Sequence, residues 1–400
     1  MKRLLLVIFS IFFLTGCSSK TAVKEVTFWT LQMNNFAPYI NEVISSYEKL
    51  NPEIKIKWID IPFSEGEKRT LAAVMTDNPP DLINLNPDFS ALLAQKGTLW
   101  EIDSSKLNSF TPEIVESLKY NGKTYSIPWY ATSAVIIYNR DLLKKSEVKI
   151  FPKTYQDLAN ISKLIKDKTS AYSYIPTITE NDTMVKILNK YGISETEDFS
   201  SPKSIEVFEM FKNLYQENLI PPESITMTHR EALEQYMSGK VVFYQGGANF
   251  LNMIKENSPL IYSQTDVAEQ IKGPLAQNDF SIMNFVIPLR AKNKNEALDF
   301  CLYLTNEENQ LKLAKLTNII ATNANALNDE FYNDNSDLIS KARSISAKQI
   351  KKITPVFKQK ENQKEINTLI NSAVQSILLD KDSIENLLKI LSKNIANLDS

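Results

Sequence analysis

Past its first two dozen residues the chain alternates short apolar runs with amphipathic stretches. "VTFW" at 26–29 predicts a buried strand, and behind it Ile40, Val43, Ile44, Tyr47 and Leu50 recur at helical spacing until Asn51-Pro52 ends the pattern. "EIKIKWID" sets Ile54, Ile56 and Trp58 against Lys55 and Lys57, the period of two that marks a half-exposed strand. A helix through 71–75 is broken by "NPP" at 78–80; "DLINLN" reads as a third strand, and "FSALLAQKG" as a helix closing on Gly97. Three strand-helix units in a row imply an α/β fold, a parallel sheet covered by helices with right-handed crossovers.

A further set of elements starts at "IPWYATSAVIIYNRDLL", with a buried strand around 135–138 and a turn at Asn139-Arg140-Asp141. Thr154 is placed to cap a helix carrying Leu158, Ile161, Leu164 and Ile165 on one face. Helices follow at 204–216 and 230–237, then a strand in "GKVVFYQGG" at 239–247 and a helix from "NFLNMIK". The tail predicts two strong helices, one on Ile366, Leu369, Ile370, Val374 and Ile377, the other on Ile384, Leu387, Leu388, Leu391 and Ile395, with Asp382 and Glu385 as its capping box. No internal repeat of fixed period is visible. At 400 residues the chain exceeds one comfortable core, so two lobes are expected.

Ligands of open α/β sheets collect beyond the carboxyl ends of the strands. Those ends carry Trp29, Thr30, Gln32 and Asn34 after the first strand, and Asn84 and Asn86 with Asp88 after the third. Uncharged hydrogen-bonding side chains at equivalent ends suit a polar, uncharged ligand, although Asn and Thr also cap turns and helices. Gly246 and Gly247, followed by Asn249, would let backbone amides approach a ligand closely.

Other chemistries find less support. His229 is the only histidine, which removes a multi-histidine metal site and a conventional serine triad; it reads as a surface or cap residue. Neither G-x-G-x-x-G nor a P-loop occurs, so no nucleotide cofactor is expected. A glycosidase would need paired carboxylates, and these loops hold amides instead. Tyrosinate iron capture would have to use Tyr125, Tyr130 and Tyr138. Capture of a charged solute such as an amino acid, peptide or polyamine would have to rest on Asp88 and Arg140.

Composition enters through the ends of the chain. Hydrophobic content of 43% and charged content of 23% are ordinary for a globular protein. Lys2 and Arg3 precede an apolar run over 4–14 that stops at "LTGC", too short to span a bilayer comfortably. The small residues before Cys17 resemble a bacterial lipobox, which implies cleavage after residue 16, lipidation of Cys17 and a polar tether over 17–24. Losing Lys2 and Arg3 leaves 43 basic against 47 acidic side chains, a balance that favours no nucleic acid. Lipidation also leaves Cys301 as the only free thiol, so no internal disulfide is expected. Its place among Leu298, Leu302 and Leu304 predicts plain burial.

Lipobox, "VTFWT", "NPEIKIKWI", "DNPPDLINL", "GKTYSIPWYATSAVIIYNRDLL", "PKTYQDLANISKLI", "MSGKVVFYQGG" and "AKNKNEALDFCLYLTNEENQLKLA" follow one another as in family 1 extracellular solute-binding proteins of ABC importers, and the order resembles that family over nearly the whole mature chain. The resemblance implies a two-lobed periplasmic-binding-protein fold of discontinuous lobes, 25–127 with 280–322 and 128–279 with 323–400. Three hinge crossings are then expected, near 126–128, near 279–282 and near Thr322. It also implies a monomeric, non-enzymatic receptor that takes a sugar between its lobes and passes it to an ABC permease. Trp129 and Tyr130, just after the first crossing, are then expected to face the cleft and stack on the sugar. The chain departs from the pattern in three places: Asn249 and Phe250 stand where a Trp is usual, "QNDFSIMNF" lacks the usual glycines, and "IIATNANAL" lacks the usual proline.

Overall fold

The computed structural model describes residues 23–193, 199–276, 278–317, 319–352 and 362–398. The leader, Cys17 and most of the tether lie outside the described residues. Eleven strands are present among them: β1 (Lys24–Leu31), β2 (Ile54–Ile61), β3 (Leu82–Leu85), β4 (Lys119–Tyr120), β5 (Lys123–Thr124), β6 (Ser126–Asn139), β7 (Tyr172–Tyr174), β8 (Val241–Gly247), β9 (Thr265–Glu269), β10 (Phe280–Val286) and β11 (Ile320–Ala321). β4 and β5 form a small hairpin, and the other nine make one extended sheet whose main path runs β2-β1-β3-β10-β6-β8-β7.

The first three strands are parallel, as the strand-helix alternation predicts, with Val26 opposite Ile56 and Phe28 opposite Leu82. β10 then enters antiparallel between β3 and β6. β6 is far longer than the predicted strand around 135–138. Its first half pairs with β10 and β11 and its second half with β8 and β9, so this one strand runs through both parts of the sheet. Its side chains sort accordingly. Ile127 and Trp129 join the core built on β1 and the helix Lys294–Leu304, while Val135 and Ile137 join a core with Tyr236, Val241 and Leu251. Between 128 and 130 the register slips: Asn284 faces Pro128 and Met283 faces Tyr130, leaving Trp129 as the extra residue of a bulge. Pro128 lacks the N–H a ladder needs, which fits it to that irregular point.

Helix ends follow their local chemistry. Thr154 caps Tyr155–Thr169, and Asp157 returns the bond in a capping box; Thr228 and Glu231 do the same for His229–Met237. For the final helix, Ile384–Ala396, the cap is Ser383 rather than Asp382, and the partner is the Asn386 amide, so no Asp382–Glu385 box forms. Asp382 accepts from the Ser383 amide and the Asn386 side chain instead. Gly97 takes φ +66° just past Pro87–Gln95, the left-handed turn for which glycine is suited. Cys301 is fully buried among apolar neighbours, and burial raises its thiol pKa well above the ordinary value. No helix among the described residues is long and apolar enough to cross a membrane.

Candidate functional site

A cleft of about 350 Å³ is walled by β6, the carboxyl end of β8, the helix Thr183–Lys190 and the entry to β10. Thr132, Ser133 and Ala134 of β6 line it. Tyr130, Thr132 and Ala134 are half-exposed, whereas 127, 129 and 131 are buried, the alternation every strand imposes. β8 delivers Gln245, Gly246 and Gly247 to the wall, and the chain then turns through Asn249 into the helix Phe250–Asn257. A Cβ on Gly246 would meet the Tyr244 ring at 2.6 Å and the Phe250 ring at 3.0 Å. The bare backbone there is what lets both rings close in. Tyr155, Tyr174 and Tyr244 also line the cleft, and burial pushes all three phenols well above their ordinary pKa, so they serve as neutral hydrogen-bonding groups.

Charged groups on the same walls sit close to one another, three carboxylates around two ammoniums. Asp182, Lys186 and Asp279 line the cleft, and Lys190 lies beneath it with its ammonium 2.6 Å from Asp279. Burial works against charging Lys186, but the carboxylates of Asp182, Asp279 and Asp88 outweigh it and hold its pKa above the usual value. For Lys190 burial prevails and lowers the pKa, with Asp279 recovering part of the shift. Asp88, on the helix Pro87–Gln95 of the other lobe, is near enough to Asp182 and Lys186 to feel both. Its carboxyl is pushed up to about 6, first by the surrounding protein and then by Asp182, with Lys186 opposing. The side chain keeps solvent contact, so this is crowding across a wet gap rather than a dry site. His229 is not a remote surface residue but lines the cleft, its ring against Glu180 and 3.1 Å from the Thr177 hydroxyl. Burial lowers its pKa, so at neutral pH the contact with Glu180 is a hydrogen bond from a neutral ring.

The residues expected at the strand ends divide in two. Gln32 and Asn34 are exposed and line a second, open depression with Asn35, Asp60, Pro62 and Ser64. Asp60 shapes that loop by accepting the Met33 and Asn34 amides, each at 2.9 Å. Gly246, Gly247 and Asn249 are in the main cleft. Asn86 is partly exposed, capping Pro87–Gln95 through the Phe89 amide and reaching Glu67 at 3.4 Å. Thr30 and Asn84 are corrected by burial, while Trp29 is half-buried. Thr30 is fully enclosed, donating to Asp60 and accepting from the Trp58 indole. Asn84 is sealed between β3 and β10 and donates to the Asn284 carbonyl. Trp29 packs with Ile59 against the core of Ile83, Phe89 and Leu93.

Trp129 is 0% exposed, its ring 4.6 Å from that of Phe285, and Tyr130 lies edge-on against it. Both rings thus belong to the core built on β1, Trp129 wholly and Tyr130 in part, and neither is among the residues that line the cleft. Arg140, the candidate cation for a charged solute, is spent elsewhere, donating to the Ser263 carbonyl at 2.6 Å. The reading of the sequence missed Thr132, Asp182, Lys186, Lys190 and Asp279. Only Lys190 left a trace: it follows Ile187 by three positions and Leu188 by two, on a helix whose other buried residues are apolar.

The family model for bacterial extracellular solute-binding proteins matches residues 42–339. A putative oligosaccharide periplasmic-binding protein from Synechococcus sp. MITs9220 is similar in structure, with TM-score 0.84 at 25% identity over 93% of this chain and 98% of that one. In sequence the chain is 22% identical over 322 residues to the diacetylchitobiose binding protein DasA of Streptomyces coelicolor, covering 75% of this chain and 73% of the relative. It is 31% identical over 163 residues to a maltooligosaccharide ABC transporter solute-binding lipoprotein of Streptococcus pneumoniae, covering 38% and 36%. A two-lobed fold shared over nearly its whole length, with a family match across most of the described residues, means that this chain belongs to the bacterial extracellular solute-binding protein family.

Proposed function

We propose that this chain captures a small, uncharged, hydroxyl-rich solute, a monosaccharide or short oligosaccharide, outside the cytoplasmic membrane and delivers it to an ABC permease. The observation that carries this is the pairing of charge in the cleft: Lys186 stands among Asp182, Asp279 and Asp88, and Lys190 rests on Asp279. An anionic solute would meet no unpaired cation in those groups, and three carboxylates against two ammoniums offer a cation only a small net attraction. Hydroxyls, in contrast, find acceptors and donors in Thr132, Gln245, Asn181 and Asn249, and the partly exposed rings of Phe250 and Phe280 offer apolar surface to a pyranose face. A whole aromatic side chain buries about 150 to 250 Å², and covering the exposed part of one of these rings removes only a fraction of that, part of which is offset by lost motion. The names of the oligosaccharide, diacetylchitobiose and maltooligosaccharide relatives point the same way. The volume of about 350 Å³ is at the small end for ligand pockets and favours short saccharides.

In this reading the lobes are 25–127 with 280–322 and 128–279 with 323–400, and β6 is the first crossing between them. A solute that touches both lobes favours the closed form by its differential affinity for it, and the permease reads the closed pair of surfaces. The leader over 1–16 exports the chain, Cys17 anchors it by lipid, and it works as a monomer without covalent chemistry. A thermal-shift screen of the chain from residue 18 tests the solute class, with mono- and oligosaccharides against amino acids, polyamines, glycerol phosphates and ferric citrate. A saccharide at a hundredfold excess over its Kd should stabilise the native state by about 2.7 kcal/mol. Stabilisation by a charged control alone would overturn the sugar assignment and leave the fold untouched.

A further inference from the structure

Lys190 is the most deeply buried ammonium in the cleft region, 1% exposed, and its environment is complete. Its three protons are matched by Asp279 Oδ2 at 2.6 Å, the Ile271 carbonyl at 2.7 Å and Gln270 Oε1 at 3.2 Å. The Asp279 side chain, 19% exposed, is by contrast part of the cleft wall. A carboxylate offers about four acceptor positions and Lys190 uses one, which leaves capacity for a solute. Gln270 locks the pair from below, because the same Oε1 also accepts the Asp279 amide at 2.7 Å. Its amide group donates to Ser133 Oγ and to the Asp279 carbonyl, both at 3.1 Å, and Gln349 reaches the same Ser133 hydroxyl at 3.0 Å. Ser133 is on β6 and Asp279 at the entry to β10, so the network ties together two of the segments that pass between the lobes.

We propose that Asp279 is a solute-contacting carboxylate and that Lys190 is its positioning residue, holding it oriented at the hinge so that it accepts hydroxyls of the bound saccharide. The inference rests on the saccharide reading of the cleft. Asp279 is faced by Lys190 and Lys186 from one helix, by Tyr155 from another and by Tyr174 from β7, so Lys190 is the one charge both in contact with it and shielded from water. An ammonium there balances the charge of Asp279 from below. It also stays clear of the solute, leaving the carboxylate as the contact group.

The test uses the full-length protein with maltose and N,N′-diacetylchitobiose as probes in calorimetry. Asp279→Asn and Lys190→Met should each weaken the probe that binds by about 10- to 100-fold, the range of a hydrogen bond to a charged group. Lys190→Arg, which keeps the charge, should recover most of the affinity, an outcome a purely structural role for the side chain would not give. Wild-type affinity in Asp279→Asn, or equal losses in Lys190→Met and Lys190→Arg, would overturn the proposal. If a single variant fails to fold, the double variant K190M/D279N removes both charges together; it should fold and bind weakly, and tight binding by it would count against the proposal. If the wild type binds neither probe, the saccharide reading loses its support while the positioning claim is still decided without ligand. The Lys190 amine, followed by NMR, should titrate lower in Asp279→Asn than in the wild type, and an unmoved titration would sink it.

Discussion

Trp129 shows how a single residue can suggest a role that its neighbours forbid. An aromatic pair behind a proline reads as a stacking platform, yet only one of two consecutive strand residues can face a given side. The bulge at 128–129 and the Phe285 ring place the indole in the core. Trp129→Ala should therefore act on stability, lowering the unfolding free energy by about 3 to 5 kcal/mol as for other large buried truncations. Chemical denaturation measures this directly, and a loss below about 1 kcal/mol would contradict the packing described here. Lys190 is the opposite case. Its charge is on the apolar side of a helix, a pattern that demands a buried partner, and Asp279 is 89 positions further along the chain.

At the scale of elements, the period of the apolar pattern was sufficient wherever one element packs on one face. β1, β2, β3 and the helices that cover them appear where the alternation predicts, as do Tyr155–Thr169, Gln363–Leu378 and Ile384–Ala396. The pattern was insufficient for β6, which switches partners midway and is buried on both sides at 135–137. The segment that follows β9 shows how closely the elements meet. A Cβ on Gly273 would press on the carbonyl and the Cβ of Lys190, the latter at 2.8 Å. Since backbone atoms yield little, Gly273→Ala should cost about 1 to 3 kcal/mol by overpacking. A lowered urea midpoint at unchanged m-value would be the sign of it.

For the whole molecule, the informative contacts are those between residues far apart in sequence. Glu67 and Lys364 meet at 3.9 Å on largely exposed side chains, a pairing that contributes about 0 to 1 kcal/mol. Asp88 is more telling. Its folded pKa of about 6 lies above the ordinary carboxylate value, so the folded state binds its proton more readily than the unfolded chain does. Protonated Asp88 is thus the favoured form, and its advantage is lost as pH rises through about 6. Asp88→Asn should raise the melting temperature relative to wild type at pH 8 and lose that advantage by pH 4. A constant difference across that range would mean that the gap between the lobes does not crowd this carboxyl.

Much of the fold was legible because the hydrophobic effect acts on local periodicity: the α/β class, the parallel first units, the helix cap at Thr154 and the glycine turn at Gly97 all depend on residues within a few positions of each other. The site was legible only in part. Gln32 and Asn34 line the open depression and Gly246, Gly247 and Asn249 the cleft, positions at or just past strand ends where the backbone itself leads to the surface. Which of the remaining polar groups would be enclosed was decided by tertiary structure alone. Thr30 and Asn84 have the same chemistry as Gln32 and Asn34, but their strands continue one pairing further and bury them. Asp182, Lys186, Lys190 and Asp279 acquire meaning only when a helix, a hinge strand and the opposite lobe bring their charges together, because electrostatic partnership depends on distance in space and carries no period along the chain.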